Sequence, residues 1–96
     1  MVTNEIWIKV GNLVGAHGLN GELKVNPFSE FEERFTDPGI RWLQEQEEEP
    51  RKYELKKGRK LPGKSIYIIS LAGVNDRDKA ESLIGRKLLV EKSNRP

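Results

Sequence analysis

The stretch Val14-Gly15-Ala16-His17-Gly18-Leu19-Asn20-Gly21-Glu22-Leu23-Lys24-Val25 decides how the rest of the chain is organised. Glycines stand at positions 15, 18 and 21, and apolar residues flank them on both sides. Glycine is used where the backbone needs a positive φ or where another segment approaches closely. Because Asn20-Gly21 is also a turn signal, the stretch predicts a shaped connection between two β-strands.

The residues on either side of this connection alternate as strands do. Residues 6–10 place apolar side chains at every second position, which is typical of a half-buried strand. Gly11 interrupts that strand and indicates a β-bulge. Residues 22–26 alternate in the same way, and Pro27 ends this second strand because it has no N–H to donate.

Apolar and β-branched runs predict four more strands further along the chain. They are Ile40 to Leu43, Tyr53 to Leu55, Ser65 to Leu71, and Leu88 to Val90. The third of these runs is apolar on both faces, so we expect it at a central position. The pattern as a whole predicts an all-β fold: a small six-stranded antiparallel β-barrel with one or two short helical inserts.

The first helical insert is predicted just after the second strand. Ser29 is a suitable N-cap for a helical turn over Glu30 to Phe35. We expect the side chains of Phe28, Phe31 and Phe35 to be its buried anchors.

The second insert is predicted between the last two strands. Asn75 is expected as its N-cap, and Ala80, Leu83 and Ile84 share one face at helical spacing. Gly85 follows where a helix C-terminus favours a left-handed residue.

Composition restricts the classes of function. Ninety-six residues allow one domain with a modest core. The chain has no cysteine, which excludes disulfides, a thiolate nucleophile and cysteine-based zinc sites. His17 is the only histidine, so a multi-histidine metal site is also excluded. No membrane-length apolar run or signal peptide is visible, and we expect a soluble, cytoplasmic protein with no membrane partner, no cofactor and no metal ion.

The net charge of +2 is too small to indicate a nucleic-acid partner by itself, but the charges are segregated. An acidic block at residues 45–49 precedes a basic stretch at residues 51–64. That stretch includes Lys56, Lys57, Arg59 and Lys60. It is either a phosphate-facing patch or a solvated hairpin whose charges keep its edges soluble.

Residues 58–65 satisfy the phosphate-loop pattern G-x-x-x-x-G-K-S. A phosphate loop must open a helix, whose N-terminal amides bind the phosphates. The next residues, 66–69, are β-branched or aromatic and predict a strand. We therefore interpret the match as a basic hairpin loop and do not expect nucleotide hydrolysis.

Catalytic groups are equally sparse. As a general base, His17 would need an orienting carboxylate and a nucleophile, whereas glycines surround it and Glu22 is the nearest acid. A structural role in the turn is the simpler interpretation. We expect no enzyme activity and no small-molecule substrate.

Residues 10–25 closely resemble the opening of the bacterial ribosome maturation factor RimM family. Residues 27–29, 33–35 and 73–85 match in the same order, and the similarity covers nearly all of residues 6–91. The His-Gly-Leu-x-Gly-Glu pattern at residues 17–22 is specific in combination. The last of these stretches is similar to the family's helix.

The resemblance implies a factor that assists late assembly of the small-subunit head and processing of small-subunit rRNA. It implies an N-terminal six-stranded barrel similar to those of translation factors, here residues 1–91. Residues 92–96 would then begin a linker to a PRC-type barrel that is absent from this chain. The implied partners are the small ribosomal subunit as an assembly intermediate, its rRNA, and ribosomal protein S nineteen. The aromatic pair implicated in ribosome association within the family lies beyond this linker.

We hypothesise a binding surface made of the glycine connection and the basic stretch, which would hold a folding intermediate without chemistry. Its candidate residues are Gly15, His17, Gly18, Asn20, Gly21, Lys56, Lys57, Arg59 and Lys60. The alternative for the glycines is that they serve only barrel closure. The alternative for the protein is a general RNA-binding barrel of the translation apparatus, with base-stacking candidates Trp7, Trp42, Tyr53 and Tyr67.

Overall fold

The computed structural model describes residues 6–92 and shows a closed β-barrel. The elements in chain order are β1 (Trp7–His17), β2 (Glu22–Pro27), α1 (Glu33–Thr36), β3 (Gly39–Gln44), β4 (Arg51–Lys60), β5 (Tyr67–Leu71), α2 (Arg77–Glu81) and β6 (Lys87–Glu91). Neighbouring strands follow the order β1-β2-β5-β4-β3-β6, and every pair is antiparallel. The predicted six-stranded antiparallel barrel with short helices is confirmed. Residues 1–5 and 93–96, which include most of the predicted linker, lie outside the described residues.

Two long strands close the barrel by changing partners along their length. The first half of β1 pairs with β6 and the second half with β2, with register shifts between Lys9 and Gly11 and between Leu13 and Gly15. In the same way β4 pairs first with β3 and then with β5, with a shift between Leu55 and Lys57. Bulges of this kind bend a strand and increase its twist, as a small barrel requires. The predicted irregularity at Gly11 is confirmed.

The inward side chains form one apolar core. Its completely buried members include Val10, Leu23, Phe35 and Val90. Phe35, from α1, lies against Tyr67 with ring centroids 4.6 Å apart. The Phe35 side chain therefore fills one end of the barrel. Burial of this kind contributes about 25 cal/mol per Å² of apolar surface and is the main source of the barrel's stability.

The prediction for the first helix is wrong at its start and in two of its three anchors. Helix α1 begins at Glu33, and the Oγ of Ser29 accepts a hydrogen bond from Phe31 N in the preceding connection instead of capping the helix. Only Phe35 is buried, whereas Phe28 is 51% exposed and Phe31 is 50% exposed. Phe28 and Phe31 precede α1, so the helix does not turn their rings toward the core.

Arg41 explains how so short a helix is held. Its buried guanidinium donates to the carbonyl oxygens of Arg34 (2.8 Å), Glu33 (3.2 Å), Asp37 (2.8 Å) and Ile40 (2.9 Å). Burial lowers the pKa of Arg41 from its ordinary value, although Asp37 opposes this effect. The side chain therefore joins the end of α1 to the start of β3 through the main chain.

The second helix also differs from its prediction in detail. Asp76, and not Asn75, is the N-cap: its carboxylate accepts from Lys79 N at 2.8 Å. Ala80 and Leu83 are buried as expected, whereas Ile84 is 43% exposed. Gly85 has a φ of 97°, which confirms the left-handed residue after the helix.

The fifth strand begins at Tyr67, two residues later than predicted, and is buried on both faces. Tyr67 and Ile69 point into the core, and Ile68 points outward but is only 1% exposed. Its cross-strand neighbours are Lys24 and Arg59, whose aliphatic stems can cover it. The prediction that this run is apolar on both faces is confirmed. Neither helix within residues 6–92 has the length and apolar character needed to cross a membrane.

Candidate nucleic-acid interface

The glycine connection, residues 15–21, joins β1 to β2 by a turn over residues 18–21. His17 and Glu22 pair across the two strands at its base. Gly18 and Gly21 have φ values of 72° and 92°, which side chains other than glycine rarely adopt. The predicted shaped connection is present, and positive φ values explain two of its three glycines.

Those glycines have different environments. A Cβ at Gly21 would overlap the carbonyl oxygen of Val74, so this glycine lets the turn pack against the segment before α2. A Cβ at Gly18 would meet nothing within 4 Å, and one at Gly15 would meet only Lys24 Cδ, at 3.5 Å. Barrel geometry therefore explains Gly21. It does not require a glycine at position 15, which lies on the outer surface of β1.

Helix α2 holds the turn from the side. Arg77 Nη1 donates to the carbonyl oxygen of Gly18 at 2.9 Å, and Arg77 Nε pairs with Glu81 at 2.9 Å. The main chain of the exposed turn is thus fixed by a side chain from another element. A fixed main chain loses less conformational entropy when a partner binds.

Arg59 brings the basic strand to the glycine connection. Its Nη2 lies 3.4 Å from His17 Nε2, and its Nη1 lies 3.6 Å from Glu22 Oε2. His17 and Arg59 are 42 positions apart in the chain. In the sheet, β5 lies between β2 and β4. The sequence prediction had grouped these residues, and the structure brings Arg59 and His17 together.

The rest of the basic stretch is placed differently from the prediction. Lys56, Lys57 and Lys60 lie with Arg59 on β4 and not in a hairpin loop, because β4 runs to Lys60. The hairpin closes beyond it, where Leu61 N donates to Ile66 O at 2.9 Å. Strand β5 follows directly, so residues 58–65 do not open a helix and the phosphate-loop match has no phosphate-loop geometry.

Strand register shows which of these side chains share a surface. Lys57 pairs with Ser70 and Arg59 with Ile68, both of which point outward from β5. Lys24 pairs with the same Ile68 from the other side, and Gly15 pairs with Lys24. We call the outer surface formed by His17, Lys24, Lys57 and Arg59 the cationic face. Lys56 lies at the β4 bulge and Lys60 at the end of the strand, so neither is aligned with this face.

Lys24 is the residue that the sequence prediction missed. It belongs to the alternating segment of residues 22–26, and its outward position follows from the inward positions of Leu23 and Val25. That alternation was enough to predict that the Lys24 side chain points outward. Its nearness to Arg59 was not visible, because it depends on β5 lying between their strands.

The cationic face can bind an anionic surface through its lysine and arginine side chains. Glu22, the acid beside His17, is paired with Arg59. Within residues 6–92, His, Asp and Glu side chains form no group of three or more that could hold a metal ion. Lysine and arginine side chains around a glycine surface are suited to contacts with phosphates.

Comparison with known proteins places the chain in a family. Residues 8–95 match the family described as RimM N-terminal domain. The ribosome maturation factor RimM of Prochlorococcus marinus strain MIT 9211 is 58% identical over 96 residues, covering 100% of this chain and 54% of that protein. The protein of the same name from Synechococcus sp. strain CC9311 is 55% identical over 94 residues, covering 98% and 50%.

A solved structure agrees. The crystal structure of a 16S ribosomal RNA processing protein RimM from Pseudomonas aeruginosa is 30% identical, with a TM-score of 0.71, over 94% of this chain and 53% of that one. The chain spans about half the length of the curated relatives it matches. The matched family, the relatives and the shared barrel agree, and the chain belongs to the RimM family.

Proposed function

We propose that this chain takes part in maturation of the small ribosomal subunit by binding to an assembly intermediate, without catalysis. Its relatives are named ribosome maturation factors, and the solved relative is described as a 16S ribosomal RNA processing protein. The chain would bind immature rRNA through the cationic face and dissociate after the RNA has folded.

The observation that carries this proposal is the position of Arg59 between the glycine connection and the other cations of β4. Its guanidinium reaches His17 and Glu22, and its side chain remains 53% exposed. Arginine and lysine side chains neutralise phosphates and make the affinity depend on salt. The exposed backbone at Gly18 allows a close approach beside them.

Several finer features of the proposal come from the family resemblance. We propose the head of the small subunit as the place of action, ribosomal protein S nineteen as a partner, and the cytoplasm as the compartment. We also propose that residues 1–91 are an N-terminal unit and that residues 92–96 begin a linker to a PRC-type barrel. The cationic face supports the RNA contact only.

The residues proposed to stack on bases in a general RNA-binding barrel pack against other parts of this chain. Trp7 and Trp42 pack edge to face on the outside of the barrel, with centroids 4.9 Å apart. Tyr67 is buried against Phe35, and Tyr53 packs against the core. Tyr67 is therefore unable to stack on a base, and the two tryptophan rings already pack against each other, so these positions do not favour this alternative.

A sedimentation assay across a salt series tests the proposal. Assembly intermediates, mature small subunits and isolated protein S nineteen would each be mixed with the chain and with a Lys24→Glu/Lys57→Glu/Arg59→Glu variant. Lys52→Glu is the charge-matched control for the single variant Arg59→Glu, because each reverses one charge and Lys52 lies on the same strand but pairs with Trp42, away from the cationic face.

We expect selective binding to assembly intermediates, weakened at least tenfold by the triple variant and unchanged by Lys52→Glu. For a single phosphate contact, loss of Arg59 should lower the slope of log affinity against log salt by about 0.7–0.9. If Lys52→Glu weakened binding to assembly intermediates as much as Arg59→Glu, overall charge and not the cationic face would control binding. Equal affinity for mature and immature subunits would contradict the maturation role.

A further inference from the structure

The exposed phenylalanines Phe28 and Phe31 form a second surface with no role in the barrel core. They lie in the connection between β2 and α1, and each ring remains about half exposed, at 51% and 50%. Single exposed apolar side chains are common. Two aromatic rings in a four-residue segment are less easily explained, because aromatic side chains supply much of the burial in a small domain.

Each ring lies against a cation. Lys9 Nζ is 5.8 Å from the centroid of Phe28, and the guanidinium carbon of Arg34 is 5.5 Å from the centroid of Phe31. Both distances are within the range of cation–π interactions. Arg34 is itself only 7% exposed, so the ring of Phe31 lies against a buried side chain.

The backbone of this connection is also held in place. Phe28 N donates to the carbonyl oxygen of Val10 at 2.7 Å, and Phe31 N donates to Ser29 Oγ at 3.1 Å. These bonds fix the main chain at both phenylalanines. The main chain that carries the two rings is therefore positioned before any partner arrives, which lowers the entropic cost of binding.

Strand register relates the rings to the basic part of β4. Val25 pairs with Tyr67, and Tyr67 pairs with Lys60, so Val25 and Lys60 lie in one row across the sheet. Because β2 and β4 both run antiparallel to β5, they run in the same direction and end at the same side of the barrel. Phe28 and the exposed Lys60 therefore lie toward the same end.

We propose that Phe28 and Phe31 stack on unpaired bases of single-stranded RNA, as a second contact at the end of the barrel toward which Lys60 lies. This inference rests on the proposed function. Every base has a π-face, and aromatic side chains next to cations bind bases and backbone together. The carboxylates of Glu30 and Glu32 in the same connection repel phosphates, which turns the bases and not the backbone toward the rings.

Binding of two RNA probes would test this inference. The probes are a fluorescent single-stranded oligoadenylate and a paired RNA hairpin of similar length whose loop is a non-nucleotide linker, so that it offers no unpaired base. The variants are Phe28→Leu/Phe31→Leu, which keeps apolar volume and removes the rings, and Phe28→Tyr/Phe31→Tyr, which keeps the rings. Ile84→Ala is the control, since Ile84 is an exposed apolar residue beside α2.

We expect the leucine variant to bind the single strand about five- to a hundredfold more weakly for each lost stacking contact. The tyrosine variant and Ile84→Ala should bind it like the parent chain, and binding to the paired hairpin should not change. The salt slope should also be unchanged in the leucine variant, because no phosphate contact is lost, whereas Arg59→Glu should reduce it.

The possible failures differ from one another. If the parent chain binds the single strand and the leucine variant binds equally well, the stacking inference is wrong and the proposed function stands. If the leucine variant loses affinity only for assembly intermediates and not for RNA, the rings contact a protein and the RNA assignment is overturned. If the parent chain binds neither RNA nor assembly intermediates at low salt, both proposals fail.

Discussion

Alanine substitutions at the three glycines of the glycine connection should have three different costs in stability. Gly15, Gly18 and Gly21 follow one another at intervals of three positions, and they would be interchangeable if they served one general purpose. Their surroundings predict otherwise. Gly15→Ala should be nearly neutral, Gly18→Ala moderately destabilising, and Gly21→Ala severely destabilising.

The magnitudes follow from φ and from the space around each Cβ. Gly18→Ala places alanine at a φ of 72° with no atom nearby, so it costs the left-handed strain of about 1–2 kcal/mol, less about 0.4–1 kcal/mol from the stiffer unfolded chain. Gly15 has neither a positive φ nor a close neighbour, and we expect a change within about 0.5 kcal/mol.

Gly21→Ala adds a steric clash to the strain. Its Cβ would overlap Val74 O and lie 2.9 Å from Asp76 N, where ordinary contacts are 3.4–4 Å. Because both atoms belong to the main chain, the turn and the segment before α2 must separate. Overpacking of this kind costs about 1–3 kcal/mol, which together with a net strain of about 1 kcal/mol brings the total to about 2–4 kcal/mol.

Urea unfolding followed by tryptophan fluorescence measures these differences. With a slope of about 1–1.5 kcal/mol per M for a domain of this size, the midpoint should fall by about 1.5–3 M for Gly21→Ala and by less than about 0.5 M for Gly15→Ala. Gly18→Ala should lie between them. If Gly15→Ala and Gly21→Ala shift the midpoint equally, the assignment of separate roles to the glycines is refuted.

Three other substitutions test the structure elsewhere. Arg41→Lys should lower the free energy of unfolding by about 2–4 kcal/mol, because an ammonium cannot satisfy the four carbonyl oxygens that Arg41 binds; thermal unfolding measures the loss. Asp76→Ala should cost about 1 kcal/mol through loss of the bond from Lys79 N, and Asp76→Asn should recover most of it in urea unfolding. Burial raises the pKa of Tyr67 above its ordinary value of 10.0, so the folded state binds this proton more tightly than the unfolded state. The stability contributed by the Tyr67 proton is complete below pH 10 and is lost as the pH rises above that value. Tyr67→Phe should therefore reduce the decline of stability above pH 10. An unchanged decline would contradict the burial argument.

Strand patterns predicted the barrel because each strand has one face in the core and one outside. The alternation at residues 22–26 specifies both a strand and the directions of its side chains, and the two-sided apolar run at residues 66–69 specifies a strand. The fold follows from these local patterns together with the turn at residues 18–21. The sequence did not predict the order of the strands in the barrel. It therefore did not predict that Lys24 and Arg59 lie in one row across the sheet.

The helical inserts were predicted less well because each contains about one turn of helix. At that length several positions satisfy the same capping rules, and Ser29 and Asn75 were both displaced by residues closer to the helix. The direction of aromatic side chains was the larger error. Phe28 and Phe31 have the spacing of core anchors, but α1 starts at Glu33, after both of them.

The glycine connection combines two roles that the sequence presents as one pattern. At Gly21 the absence of a side chain permits packing inside the molecule, against the segment before α2. At Gly15 the absence of a side chain leaves the backbone uncovered on the outer surface beside Lys24, although the fold does not require a glycine there. A substitution at Gly15 can therefore change what the surface binds without unfolding the barrel. A bulky side chain there, tested beside the unfolding measurements, separates the contribution of access at the cationic face from the contribution of stability.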